Sequence, residues 1–192
     1  LNYRQVAAAV RAHLDQKHRY EHVVRVARCA DILAQRHGLD ANKARLAGML
    51  HDLARLYLGN RLISECEARH MPISAFEREN PIVLHARLGA ALATEIYGVN
   101  DPEVLSAIAK HTVAAQEMSP LDCTLYLAAS LEPGRDYAER ASLWALAQVD
   151  LNAAMHGVIE QSLAYLSRKG IPAAPETLAA AKSFGVTERV LP

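Results

Sequence analysis

At 192 residues, with 21 basic side chains balancing 21 acidic ones, the chain is long enough for one domain with a real core and has no charge excess to track a long nucleic acid. Hydrophobic residues make up 51% of it, yet no apolar run approaches the roughly 18 residues of a membrane span, and the charges in LNYRQVAAAVRAHLDQKHRY lie too close together for a signal-peptide core. Cys29, Cys66 and Cys123 form no CxxC spacing and cannot all pair within one chain, so they read as small buried hydrophobes of a reduced, cytoplasmic protein.

Alanine, leucine, arginine and glutamate dominate while aromatics make up only 5%, which favours helix nearly throughout; no segment reads as a strand, and the fold class is all-α. Val6, Val10 and Leu14 recur every four residues and give an amphipathic helix over about residues 2 to 16. A second helix runs from about Arg19 to Arg36, with Gly38 placed to close it in the left-handed region. Asp40 caps a third, whose apolar positions Leu46, Leu50, Leu53 and Tyr57 continue the period. The stretch GNRLISECEARHMPISAFEREN is less regular, broken by Gly59 and Pro72. From Pro81 a helix runs to Tyr97 and stops at Gly98; Asp101 then caps another with Pro102 in its first turn, and Ser119 and Pro120 repeat the signal for a helix ending near LEPGRD. Two or three more helices fill the C-terminal third, with breaks around Lys169, Gly170, Pro172 and Pro175. No repeat or linker divides the chain, so residues 1–192 read as a single helical domain.

Four of the nine histidines fall on inward faces. His22 shares a stripe with Val26, Cys29 and Leu33. His51 lies among the small residues Ala44, Ala47, Gly48 and Ala54, a face that lets another helix approach closely. His85 aligns with Ile82, Gly89, Leu92 and Ile96, and His111 with Val104 and Ile108. One buried imidazole is commonly satisfied by a carbonyl, but four on successive inward faces of a bundle point to a metal site. The adjacent Asp52 adds an anionic oxygen, and this donor set suits a divalent transition metal; on ligand type alone iron, manganese, zinc and nickel stay open. His13, His18, His37, His70 and His156 read as surface residues.

RYEHVVRVA around His22, LAGMLHDLAR around His51 and Asp52, NPIVLHARLGA around His85, AIAKHTVA around His111, then LEPGRDY and SLAYLSRKGIPAAPETLAAA, resemble in order and spacing the HD-domain phosphohydrolase superfamily. Within it they are similar to the YqeK-like branch of symmetrical bis(5'-nucleosyl)-tetraphosphatases. The resemblance covers nearly the whole chain and implies a helical HD bundle with a two-iron centre. It implies that His22, His51 and Asp52 hold one metal and that Asp52, catalytic in this scheme, bridges to a second held also by His85 and His111. Arg135 would bind substrate phosphates and stabilise charge as the bond breaks, with Arg55 adding positive charge to the same pocket. The substrate implied is diadenosine tetraphosphate, cut to two ADP by water.

One position departs from that pattern. The family has a metal-ligating aspartate just before EPGR, where this chain has Ala129, so the first site is expected to be weakened. Asp122, seven residues earlier, lies about 10 Å away along a helix axis, whereas Glu132, three residues later, lies about 4.5 Å away and has a longer reach. The alternative function is an HD-type nucleotide-binding or regulatory module with weakened or lost turnover. Neither reading calls for a membrane, and a homodimer is an option that many small helical enzymes take.

Overall fold

The computed structural model describes residues 2–187, and no strand occurs among them. The α-helices are α1 (Tyr3–Leu14), α2 (Lys17–Arg36), α3 (Ala41–Leu50), α4 (Gly59–Ala68), α5 (Ala75–Glu79), α6 (Leu84–Tyr97), α7 (Pro102–Lys110), α8 (Pro120–Leu131), α9 (Arg140–Ala147), α10 (Leu151–Lys169) and α11 (Pro175–Ser183); one 3-10 turn, Pro81–Val83, leads into α6. None of these helices is long and apolar enough to cross a membrane.

The starts and stops follow local chemistry. Asp40, Asp101 and Ser119 accept hydrogen bonds from the otherwise unpaired first amides of α3, α7 and α8. Gly98 ends α6 at φ +67°, a conformation that side chains with a Cβ disfavour.

Two segments differ from the sequence-based expectation. Residues 59–80 hold two helices, α4 and α5, because Gly59 begins the first and Ser74 caps the second through a reciprocal bond with Glu77. The helix expected to continue to Tyr57 instead stops at Leu50. Beyond it the backbone runs in tight turns, with amide-to-carbonyl bonds from Arg55 to Asp52 and from Tyr57 to Ala54. Apolar spacing of three and four residues fits such turns as well as it fits a helix, so periodicity alone misses the change.

Helix α8 lies between two groups of core side chains. Leu121, Leu125, Ala128 and Ala129 pack with residues of α1 to α4, α6 and α7, while Cys123, Tyr126, Leu127 and Leu131 pack with α9, α10 and α11. Helix α2 packs on α3 and α8, and α7 packs on α3, α6 and α8. These contacts bring the histidine-bearing positions to one junction. The α2–α3 approach is close: a Cβ at Gly48 would lie 2.6 Å from the Cα of Ala27, so glycine is required there.

Cys29, Cys66 and Cys123 are buried thiols, and burial pushes Cys29 up to about 11 and Cys123 up to about 12. They serve as packing residues. His18 and His70 are exposed as expected, but three of the remaining histidines are half-buried struts. His13 donates from Nε2 to the Leu53 carbonyl (2.8 Å), His37 from Nε2 to the Ala147 carbonyl (2.7 Å), and His156 from Nδ1 to the Phe184 carbonyl (2.9 Å). Each ties a helix to a carbonyl at or beyond the end of another segment, a pairing invisible in local periodicity. The His13 strut fixes the turn that carries Asp52.

Candidate metal centre

His22 comes from the interior of α2, His51 is the residue that closes α3, Asp52 begins the following turns, His85 is in the first turn of α6, and His111 closes α7. All five side chains are buried, none more than 6% exposed. Gly48 sets the α2–α3 spacing one turn from His51. Gly89 leaves room for α6, since a Cβ there would sit 3.2 Å from the His51 carbonyl. The small-residue face seen in the sequence therefore does what it implied.

The imidazole nitrogens that face inward are all Nε2. Those of His22 and His51 lie 3.3 Å apart, as do those of His85 and His111. Asp52 sits between the pairs: Oδ1 is 3.6 Å from His51, 3.5 Å from His85 and 3.7 Å from His111, and Oδ2 is 3.7 Å from His22. The opposite nitrogens are occupied by acceptors. His51, His85 and His111 donate Nδ1–H to the carbonyls of Gly48, Ile82 and Ile108, and His22 donates to Oε1 of Glu132. A neutral ring whose Nδ1 carries the proton must present a lone pair at Nε2. Each pair thus brings two lone pairs together, an arrangement that a cation would satisfy; at the His85–His111 pair the Thr112 hydroxyl, 3.1 Å from both nitrogens, can donate to one of them.

Burial favours the neutral form of two of the rings, moving His51 down to about 3 and His85 down to about 4, with Asp52 offsetting part of the shift in each. His22 is lowered by the same cause. Burial alone would raise the Asp52 carboxyl, but the surrounding rings, His51 foremost, hold it well below the ordinary range. Neutral imidazoles around a carboxylate are the protonation states a divalent transition metal needs. Two sets of donors meet the distance requirement, His22–His51–Asp52 and Asp52–His85–His111, each with its ligating atoms within 4.8 Å of one another. The donors fit the metal type.

Arg19 and Arg55 lie beside Asp52, and Arg135 lies near Arg55 and His22. Arg19 donates from Nη1 to Oδ2 at 2.9 Å. Half-buried Arg55 is lowered by burial and then by the nearby Arg19 and Arg135, with Asp52 opposing. Arg135 is exposed and donates from Nε to the Ala129 carbonyl at 2.9 Å, so its Nη groups are not spent on that bond. Ala129 itself is buried on α8 and offers no donor atom. Glu132 does not stand among the inward-facing donors; its carboxylate lies at the Nδ1 edge of His22. Asp122 pairs with Lys110 at 2.8 Å.

Arg19, Arg25 and Thr112 were not singled out by the sequence. Arg19 and Arg25 lie three residues to either side of His22, a same-face spacing that was available as a signal. Thr112, whose Oγ1 lies 3.1 Å from the Nε2 atoms of both His85 and His111, sits in a turn after α7 where no periodicity operates.

Residues 19–134 match the family model of the HD domain. The chain is 33% identical to the symmetrical bis(5'-nucleosyl)-tetraphosphatase of Bacillus subtilis, the match covering 92% of this chain and 94% of that protein. It is also 33% identical to the protein of the same name from Halalkalibacterium halodurans, over 93% of this chain and 95% of that one. The crystal structure of a protein from Clostridium acetobutylicum, described as a predicted HD superfamily hydrolase involved in NAD metabolism, superposes with a TM-score of 0.91 at 30% identity, covering 96% of this chain and 97% of that one. With the HD model spanning more than half of its length and these relatives matched nearly end to end, the chain belongs to the HD-domain family, in the branch of the symmetrical bis(5'-nucleosyl)-tetraphosphatases.

Proposed function

We propose that the protein hydrolyses a dinucleoside tetraphosphate, diadenosine tetraphosphate to two ADP, at a centre of two divalent ions held by His22, His51, Asp52, His85 and His111. The observation that carries this reading is the pair of 3.3 Å Nε2–Nε2 approaches flanking one carboxylate. The names of the relatives support the substrate and the symmetric cut, and iron is the metal that the family resemblance brings. Bound divalent ions supply charge neutralisation for phosphate oxygens and acidify water.

The chain's own groups do the rest. Asp52 offers Oδ1 toward His51, His85 and His111, and Oδ2 toward His22, which suits a carboxylate shared between two ions. Arg55 and Arg135 hold the polyphosphate and stabilise negative charge as the central P–O–P linkage opens; a planar guanidinium can take two phosphate oxygens at once. One water is consumed and each product keeps two phosphates. The nucleophile is water, since the thiols of Cys29 and Cys123 are buried and pushed up to about 11 and about 12. All five donors, from His22 to His111, come from one chain, so the reading requires no second copy in a homodimer.

Metal quantification on protein purified without chelator, combined with chromatographic product analysis on diadenosine tetraphosphate, tests this. Bound transition metal and ADP as the sole nucleotide product are expected. ATP with AMP would reject the symmetric cut, and nucleotide binding without any product would identify a regulatory module instead.

A further inference from the structure

Three of the four cluster histidines are held by their own turn, each donating from Nδ1 to the carbonyl three residues earlier. Those carbonyls lie at ends of helical segments: His51 and His111 close α3 and α7, and His85 follows the 3-10 turn into α6. His22 has no such option. It lies inside α2, where each carbonyl is engaged by the amide four residues on. Its Nδ1 partner comes from 110 residues away, Oε1 of Glu132 at 3.0 Å.

Glu132 is itself held firmly. It closes α8, is only 2% exposed, and accepts from the Gly134 amide at 2.6 Å. The guanidinium of Arg25, three residues beyond His22 on α2, grips the same carboxylate through Nε and Nη2. A Cβ at position 134 would come within 2.5 Å of Arg25 Nη2, so glycine leaves the space in which that guanidinium lies. Among the described residues, the two donor groups share a single carboxylate, Asp52, and Arg19 already engages its Oδ2. The His22–His51 group therefore has no anion of its own. A carboxylate behind a ligating imidazole fixes the ring and makes its other nitrogen a better donor, more so than a neutral carbonyl does.

We infer that Glu132, clamped by Arg25 over Gly134, is the positioning residue of the first metal group: it orients Nε2 of His22 toward His51 and lends that ligand negative charge beyond the share of Asp52, the one carboxylate that both groups use. This rests on reading the cluster as a metal centre. The consequence is asymmetry: affinity at the His22–His51 group depends on Glu132, whereas affinity at the His85–His111 group does not.

Cobalt(II) titration of the metal-stripped full chain, followed by visible absorption and by bound-metal stoichiometry, reads both groups without reference to activity. His22→Ala and His85→Ala assign the events. Glu132→Gln should weaken the His22-dependent event by about 10- to 100-fold and leave the His85-dependent event unchanged. Arg25→Gln, at a part-exposed position, should weaken the same event several-fold and carries the test if Glu132→Gln does not fold. A His22-dependent event that is unaffected in the folded variants overturns the inference. So does equal weakening of both events together with a lowered melting temperature, the mark of a merely structural role. If the parent binds no cobalt at either group, the metal-centre reading fails first and takes this one with it.

Discussion

Arg19 donates from Nη1 to Oδ2 of Asp52 at 2.9 Å, while Oδ1 of the same carboxylate faces three imidazoles at 3.5 to 3.7 Å. A cation drawn to Oδ2 must compete with that guanidinium, and a guanidinium so released stands beside Arg55, where a polyphosphate would need it. Arg19→Gln should therefore bind cobalt(II) more tightly at the His22–His51 group yet bind inorganic tripolyphosphate about tenfold more weakly, the scale of one lost charge-assisted hydrogen bond. Metal-stripped Arg19→Gln should also melt below the parent, because a buried carboxylate loses its partner, and added metal should restore it. Isothermal titration and melting curves check all three, and unchanged polyphosphate affinity would reduce Arg19 to a structural pair.

Asp52 is the one carboxylate common to both donor groups. Asp52→Asn should lose bound metal from both and reduce turnover by more than about 100-fold, exceeding the loss expected for tuning an outer partner of a metal site. His51→Ala should deplete the His22–His51 group and spare metal at the other. Bound-metal ratios and steady-state rates distinguish them, and variants as active as the parent would place the chemistry elsewhere.

The elements that locate the site were legible because they rest on short-range chemistry. Asp40, Asp101 and Ser119 announce helix starts by their side-chain oxygens, Gly98 announces a stop, and the apolar stripes around His22 and His111 mark buried faces; around His85 only Gly89 and Leu92 are buried, while Ile82 and Ile96 of the expected stripe are exposed, because helical spacing alone does not fix how wide a face the neighbouring helices cover. The tight turns after Leu50 were not legible, since their spacing mimics a helix. Nor was the Glu132 to His22 bond, which spans 110 residues and depends on where α8 crosses α2. The position of Glu132 after Ala129 left open both a ligand reaching back toward the metal and a local cap or pair at the turn; the fold sets that carboxylate at the outer edge of the His22 ring, paired with Arg25 and the Gly134 amide.

For Arg135→Ala the Michaelis constant for diadenosine tetraphosphate should rise roughly tenfold with bound metal unchanged. The exposed side chain touches the rest of the fold through Nε on the Ala129 carbonyl, so the variant should fold. A rise in the constant without a change in metal content separates phosphate binding from ligand support, and no kinetic change at all would return Arg135 to a solvated turn.

Acidification should destabilise the metal-free protein. In the fold His51 lies at about 3 and His85 at about 4, below the value of about 6.5 for an unfolded chain. The unfolded state binds these protons first, so the stability these rings contribute is present above about pH 6.5 and is lost as pH falls toward the folded values. The Glu132 carboxyl acts in the same sense at lower pH: burial would raise it, but bonds from Arg25, His22 and the Gly134 amide hold it at about 2. The His85 shift alone corresponds to about 3 kcal/mol. Melting temperatures of stripped protein should fall steadily below about pH 6.5, and a flat profile down to about pH 4 would mean that the rings are protonated in the fold.

Ala129→Asp tests how the first metal group copes without a carboxylate of its own. The position is buried on α8, and its carbonyl is already fixed by Arg135, so the backbone that would carry the new side chain is held. Without metal, a second buried carboxylate near Asp52 should lower the melting temperature, because like charges out of water repel and lack partners. With metal the sign reverses: an added anionic oxygen should tighten the His22-dependent cobalt event about tenfold or more, a gain of about 1.4 kcal/mol per tenfold, and raise turnover wherever occupancy of that group limits it. The double variant with Glu132→Gln is the sharper measurement. If both carboxylates serve the same ion, one directly and one through His22, then Ala129→Asp should restore much of the metal affinity that Glu132→Gln removes, and the two effects should not simply add. A folded Ala129→Asp protein that binds no more metal and turns over no faster would show that position 129 does not face the ion, and the departure at that residue would then have no bearing on catalysis.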